Sequence, residues 1–593
     1  MLRSLYLKSA EELEDPNGQI GAYNWPGSCV MIAGPGSGKT KTLTTKMARI
    51  LTEDLRPYEG LACITYSAEC ARELKHRMEK IGVREGRRVF IGTVHSFCLQ
   101  RLLRPFARLA APDLPSDFLL AKDADQTRAY DVAATRVLGN RAGAYRMADI
   151  LKYRQFMRDD DAEMGAVAKE YESCLHAAGY IDFDDMAIQG LRLVRNHAWI
   201  RNTLCARYPV LVIDEYQDLS PYLHQIVMHL HKAAGIRLIA VGDPDQSIYP
   251  FQGARPELLA ELCELPTIEV FRLKFNYRCA QQIIDASTVV LAEPREYTSR
   301  NSGYGTLHFH PVPEGLSAQA GYIHNIIIPN IMARREGLLS SQIGILYPNK
   351  NSAQPLADCF DTHSVSYIRI DSNARYPKTP FTRWIEDCAA RCSIGWHGKS
   401  PRISDLVGTF ERFLGRQNDR DGRREATTLF ANFLFSQFSA EIDLCDWLED
   451  LGITCLNPLF ELYDKLAENR ADFELLLRLS QVGGSLEGKT LEKFAGQAGA
   501  SDHLNLITLH SAKGREFDVV VMLDLEQGQL PSWSAKSGRA LAEARRLFYV
   551  GVTRAKYEVH FVYSGFTVDR DGRRRIDGPS QFVDEIRTQA GEL

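Results

Sequence analysis

No stretch of this sequence reaches the roughly 18 to 20 uncharged apolar residues that a membrane-spanning helix needs. The opening residues, MLRSLYLKSAEELEDPNG, have no basic end, apolar core or small-residue cleavage site of the kind that marks a secretory signal. Both absences lead us to expect a cytoplasmic protein without a membrane partner. Positive charge is not in excess either: 71 Lys and Arg face 75 Asp and Glu, for a net charge of −4. The field of the whole molecule therefore does not draw in nucleic acid, but a groove can still concentrate cations locally against phosphates. The 13 cysteines have no framework spacing and lie in apolar contexts such as LACIT and HSFCLQ, as reduced buried thiols do. Cys388 and Cys392, with His397 nearby, form the one cluster that hints at metal. A structural zinc site needs four ligands and no second pair is spaced to help, so the helical pattern DCAARC accounts for them. Low-complexity tracts and short-period repeats are missing as well.

What is present is a chain of 593 residues, 45% hydrophobic and 25% charged, long enough for about three or four domains. From Cys29 to about Ser96 short apolar runs alternate with amphipathic helical patterns: CVMIA, TLTTKMARIL, LACITY, AECARELKHRM, RVFIGTVHS. That alternation predicts an α/β fold with a parallel sheet. It resumes with YPVLVIDEY, RLIAVGD and TIEVFRLK, after a helix-rich stretch. A second half supplies GTLHFHPV, SQIGILYP, LNLITLHS, FDVVVMLD and YEVHFVY as strands, interrupted by segments with helical apolar spacing such as FTRWIEDCAARC. We therefore expect two parallel-sheet P-loop domains, each with a largely helical insertion. The expected division is 1–99, 206–274 for the first sheet domain, 100–205 for its insertion, 275–351 and 501–593 for the second, and 352–500 for its insertion.

The first chemical signal is Ala33-Gly34-Pro35-Gly36-Ser37-Gly38-Lys39-Thr40, between the run CVMIA and a helical pattern. A strand, a loop whose N–H groups point inward and a helix whose positive end faces the loop make a phosphate cradle. Glycines let the backbone approach phosphate, Lys39 can reach the β- and γ-phosphates, and Thr40 can ligate Mg²⁺. Ala33 takes the place of the usual first glycine at the strand end, where a small residue suffices. The second signal is LVIDEYQDLS, where an apolar strand delivers Asp214 and Glu215 at its C-terminal end. Asp214 is the candidate for holding Mg²⁺ and Glu215 for orienting or deprotonating the attacking water, a hydrolase arrangement.

With these two elements stand further motifs, in order across nearly the whole chain: TYSAECARELKHRM from Thr65, GTVHSFC from Gly92, IDFDDM from Ile181, VGDPDQSIYPFQGA from Val241, LKFNYRC from Leu273, LHSAKGREFDVV from Leu509 and EARRLFYVGVTRAK from Glu543. Together they resemble the motif series of the UvrD, Rep and PcrA group of superfamily 1 DNA helicases. The resemblance implies two RecA-like domains, ATP as the nucleotide, single-stranded or partly duplex DNA as the partner, and 3′ to 5′ movement driven by closure of two lobes on ATP. It implies that Gln19 reads adenine, Tyr277 stacks on it and Glu516 contacts the ribose. It further implies that Gln246 senses the γ-phosphate, and that Arg278 and Arg554 stabilise the transferring phosphoryl group. Tyr66, Tyr249 and Phe251 match positions that face bases, and His95 and His510 match positions beside the strand.

Some residues depart from the family pattern. Gln252 replaces an arginine, which removes a phosphate contact; Ala544 and Arg515 replace a glutamate and an apolar residue away from the ATP chemistry. The second insertion is shorter than in full-length members, and the extended C-terminal tail is expected to be missing. No acidic cluster with a following lysine comes after the TRA motif, so if DNA is cut, a separate nuclease partner does it, as with compact members in antiphage defence. A second reading is a nucleotide-gated clamp or sensor that grips DNA or regulates such a nuclease, with little unwinding.

Overall fold

Six apolar runs in the first half form strands at Cys29–Ala33, Leu61–Thr65, Val89–Thr93, Val210–Ile213, Arg237–Gly242 and Glu269–Leu273. The structure is a computed structural model that describes residues 2–591 except 85, 116, 142, 249–253, 293–294, 364, 370–375, 377–378, 395–400, 416–419, 485, 496–502, 536, 569–571 and 590. Named by first residue, the strand order is Val89, Leu61, Val210, Arg237, Cys29, Glu269, and all neighbouring pairs are parallel. Near-continuous hydrophobicity is what a parallel strand covered on both faces requires. Alternate residues divide between two cores: Val30, Ala62, Ile64, Leu211 and Ile213 enter one, and Met31, Cys63, Val210, Val212 and Ile239 the other.

Residues 100–205 fold mainly as helices. Phe183–Asn196 and Ala198–Arg207, at the far end of that stretch, join the core of the sheet through Met186, Leu191, Ile200 and Leu204. The middle helices, Asp123–Leu138, Met147–Gln155 and Ala162–Ala177, have a core of their own around Ala133, Ala134, Ile150, Tyr171 and Leu175. A two-residue parallel ladder, Leu119–Leu120 with Tyr180–Ile181, ties the ends of this middle part together.

The chain divides into two compact units, one comprising residues 1–307, 530–558 and 581–593 and the other 308–529 and 559–580. The second unit is built on another six-stranded sheet, ordered by first residue Thr306, Ala555, Phe517, Ile343, Leu504, Tyr367. Ile343–Tyr347 pairs in parallel with both Phe517–Met522 and Leu504–Thr508. Tyr367–Arg369 adds a parallel edge strand that no periodicity announced, because three residues are too few to show one. The helices Pro380–Ile394, Ile403–Leu414, Arg420–Ser436 and Leu444–Leu451 then share an aromatic core of Phe381, Trp384, Phe410, Phe430 and Trp447. Cys388 and Cys392 are buried in it, and His397 lies outside the described residues. The molecule thus has the two RecA-like sheets with helical stretches that the sequence leads one to expect. Among the described residues no helix is long and apolar enough to cross a membrane.

Candidate active site

In the first unit Lys39, Thr40, Asp214, Glu215 and Gln246 follow the C-terminal ends of parallel strands, where an α/β sheet places its ligands. The register fixes the sequence along this edge. Thr93 pairs with Thr65 and Ile64 with Ile213, so His95, Tyr66 and Asp214 leave adjacent strands at one level. Gly242 pairs with Ile32 and Ala33 with Leu273, which brings Asp243, the phosphate-type loop and Asn276–Arg278 to the other end.

The loop leaves Ala33 and enters the helix Lys39–Arg49 through Gly38, whose left-handed backbone (φ 79°) no β-carbon tolerates easily. Gly38 offers no side-chain cap, so the first-turn N–H groups of the helix stay available for an anion. A side chain at Gly36 would meet the Asn276 carboxamide oxygen at 2.5 Å, which also requires glycine. Ser37 Oγ donates to the Gly34 carbonyl (2.7 Å), Thr40 lies in the first turn of the helix, and the backbone N–H of Tyr277 donates to the Gly36 carbonyl (2.8 Å). Gln19 Nε2 donates to the Ser37 carbonyl (3.0 Å), and the Tyr277 hydroxyl donates to Gln19 Oε1 (3.2 Å). The two candidate adenine readers, far apart in sequence, therefore meet beside the loop. Behind them the fully buried Lys46 donates to the carbonyls of Ala22 (2.6 Å) and Trp25 (2.7 Å), which fastens the segment following Gln19 to the loop helix. Burial brings the Lys46 ammonium down to about 8.

Two buried carboxylates lie within reach of the loop lysine. Lys39 Nζ donates to the Ala33 carbonyl (3.2 Å) and sits 3.8 Å from Asp243. Burial pushes Asp214 up to about 7, with the adjacent Glu215 charge adding to the rise and Lys39 opposing it. Burial likewise raises Asp243 to about 6, against the pull of Lys39. Glu215 has a left-handed backbone (φ 55°), rare outside glycine and found where local strain serves a site. Gln217 spans the two acidic turns, donating from Nε2 to Glu215 and accepting the Asp243 N–H at 2.9 Å. Gln246 Nε2 donates to Asp243 Oδ2 (2.6 Å). Arg554 is 1% exposed and donates to the Val550 carbonyl (2.9 Å). Burial, with the nearby Arg278 charge adding to the fall, lowers it to about 10, and Glu215 is close enough to oppose that fall. Glu215, Arg278 and Arg554 are thus drawn into one neighbourhood. The oxygen donors of Asp214 and Thr40 suit a hard cation such as Mg²⁺. A carboxylate driven up by burial beside another carboxylate is one that a divalent cation would relieve.

Of the residues assigned to DNA, Tyr66 is half-buried and follows its strand directly. The His95 ring meets the edge of Phe183 at 5.4 Å, and burial lowers its pKa, so a neutral imidazole packs there and adds no charge for a phosphate. Phe183 is 53% exposed at the start of its helix, an unusual position for so large an apolar side chain. Tyr249 and Phe251, with Gln252, lie outside the described residues. His510 and Glu516 belong to the second unit; burial lowers the pKa of His510, and Glu516 is exposed.

The motif IDFDDM leads elsewhere as well. Asp182 caps the helix Phe183–Asn196 by accepting the Asp185 N–H (2.7 Å), and its other oxygen accepts from Arg154 (2.7 Å) and the Tyr171 hydroxyl (3.0 Å). Asp185 is held by His176 Nε2 at 2.5 Å, by Gln189 at 3.2 Å and by Arg154 at 3.7 Å. This network fixes the helix that carries Phe183.

Gln217, Asp243, Asn276 and Phe183 were quoted within motifs but given no role by the sequence reading. Asp243 had the same signal as Asp214, an acid at the end of an apolar strand. Lys46 had no signal, since a lysine on a helix is normally read as solvated.

Comparison with known families agrees with this geometry. Residues 18–265 match the UvrD/REP helicase N-terminal domain, and residues 430–565 match the UvrD-like helicase C-terminal domain. The chain is 24% identical to the ATP-dependent DNA helicase Rep of Escherichia coli, over 90% of its own length and 88% of that protein. It is 25% identical to DNA helicase II of the same organism, over 100% of its length and 88% of the relative, and 24% identical to the ATP-dependent DNA helicase PcrA of Bacillus subtilis, over 94% and 84%.

Proposed function

The chain belongs to the UvrD/Rep family of ATP-dependent DNA helicases, and from that premise we propose that it is a motor moving along single-stranded DNA from 3′ to 5′. The supporting observation is the convergence, in one unit, of the glycine loop, a lysine beside two raised carboxylates, and two arginines near Glu215. Gln19 and Tyr277 bind the adenine, Glu516 the ribose, and the amides of Ala33–Thr40 the phosphates. Lys39 exchanges the Ala33 carbonyl and Asp243 for the β- and γ-phosphates. Glu215 aligns and deprotonates the attacking water, while Arg278 and Arg554 stabilise charge on the transferring group. Gln246, tethered to Asp243, senses the γ-phosphate. Thr40 and Asp214 hold Mg²⁺, which when bound neutralises phosphate oxygens.

Tyr66, His95, Tyr249, Phe251 and His510 are the residues assigned to DNA in this reading, and the exposed Phe183 ring is added to them. Base stacking on such rings is indifferent to sequence, as a motor requires. Residues 1–99 and 206–274 form the first RecA-like domain, 275–351 and 501–593 the second, and 100–205 and 352–500 their insertions. The protein works in the cytoplasm, and where DNA is to be cut, in repair or antiphage defence, a separate nuclease is its partner.

The test is ATP hydrolysis by the parent chain and by Glu215→Gln on single-stranded DNA of graded length. Strong stimulation that rises with length and disappears in the variant is expected. Weak, length-independent turnover would replace the motor with a nucleotide-gated clamp.

A further inference from the structure

Three parts of the nucleotide site are touched by one short segment that belongs to none of the motifs, Arg295–Arg300. At its start, Arg295 grips Asp245 with two parallel bonds, Nε to Oδ2 at 2.7 Å and a terminal nitrogen to Oδ1 at 2.8 Å. Asp245 is nearly buried, and its backbone N–H donates to Asp243 Oδ1 (3.0 Å) in the turn that carries Gln246. Two residues on, the Tyr297 ring lies so close to Gly34 of the glycine loop that a methyl group there would come within 2.6 Å of it. Thr298–Ser299 then pairs in parallel with Phe275–Asn276, and the Arg300 N–H donates to the Asn276 carbonyl (2.7 Å). Turn, loop and the strand leading to Tyr277 and Arg278 are therefore joined by six consecutive residues.

We propose that this segment is a strap that keeps the turn Asp243–Gln246 in register with the glycine loop, and that Arg295 is its positioning residue, acting on Gln246 through Asp245. The physical need is specific. Asp243 and Asp245 are two residues apart in one tight turn, and Asp243 shares Lys39 with the phosphate site. When phosphate takes the Lys39 ammonium, Asp243 loses its nearest cation, and repulsion between the two acids works to open the turn. The Arg295 fork neutralises Asp245 and fixes both its oxygens, so Gln246 keeps its orientation as Lys39 changes partners. Arg295 itself touches no reacting atom in this scheme.

The inference rests on the motor reading above, and steady-state ATP hydrolysis, with and without saturating oligodeoxythymidine, separates the two. If the parent chain shows no DNA-stimulated hydrolysis, the motor reading falls and the strap falls with it. If the parent is stimulated, Arg295→Ala is expected to lose about tenfold in DNA-stimulated kcat, with ATP KM within about twofold of the parent and the unfolding midpoint little changed. Arg295→Lys, which keeps the charge but not the fork, is expected to recover less than half of the loss and carries the same test should Arg295→Ala fail to fold. Combining Arg295→Asp with Asp245→Arg is expected to restore part of what either reversal alone removes. Parental stimulation in Arg295→Ala, or a loss confined to ATP KM, overturns the strap while leaving the motor reading standing.

Discussion

Two buried groups of carboxylates in the first unit differ in how they are compensated. Asp182 and Asp185 are matched by an arginine, a phenol, a histidine and a helix N-terminus. Asp214 and Asp243 share the attention of one lysine, 3.8 Å from the nearer acid, and burial pushes both well above the ordinary carboxylate range. The first group is neutralised by the fold itself and holds a helix in place. The second is short of positive charge, which is the condition of a site that completes itself with substrate and cation. Burial of acids is common to both, and it raises Asp184 beside the first pair to about 6 as well, so burial alone does not mark chemistry; the shortage of cations beside the glycine loop does.

That contrast breaks most sharply where charge is supplied to the transition state. Arg554→Ala is expected to lower DNA-stimulated kcat by about 10³-fold or more with a much smaller change in ATP affinity; an equal loss of both would make Arg554 a ground-state anchor. Glu215→Gln is expected to lower kcat by roughly 100-fold or more while ATP still binds, and parental turnover in that variant would remove its role with water. In the compensated group, Arg154→Met leaves buried carboxylates unmatched and is expected to destabilise the chain by about 3–5 kcal/mol in urea unfolding. Turnover per folded molecule should stay at the parental level there, and a loss of kcat would erase the distinction between the groups.

The smallest effect is one of pH. Asp214 titrates near 7 in the folded chain and near its ordinary value of about 4 when unfolded. Between those values the folded state holds a proton that the unfolded state has released, so this group's contribution to stability falls as pH rises. Asp214→Asn has no such proton to lose. Its urea midpoint, relative to the parent without nucleotide or metal, should therefore climb between about pH 5 and pH 8; parallel curves would place Asp214 among the compensated acids.

The six strands of the first sheet were legible because each is an apolar run ending in turn residues, and the glycine loop because its neighbours on both sides agree with it. Asp214 was legible for the same reason, and Asp243 should have been. Gln217 was not, because its importance comes from a bond between two loops whose proximity only the strand order creates. Arg278 and Arg554 carry no local signal at all; the resemblance proposed them, and the folded chain gathers them near Glu215. Nothing in its motif separates Phe183 from a core aromatic; its exposure does. Tyr367–Arg369 escaped because an edge strand of three residues has no period to read.

Lys46 has a consequence that reaches the far end of the nucleotide. It stands two turns along the same helix as Lys39, and its ammonium is anchored to the carbonyls that follow Gln19. In the proposed reading, purine recognition by Gln19 and phosphate recognition by Lys39 are thereby mounted on one rigid rod, at a spacing that neither can change alone. The rod works as a calliper: a nucleotide is accepted when its base and its terminal phosphate both fit between the jaws. Loosening Lys46 would therefore show itself first as tolerance of the wrong base or the wrong number of phosphates, before any failure to hold phosphate at all.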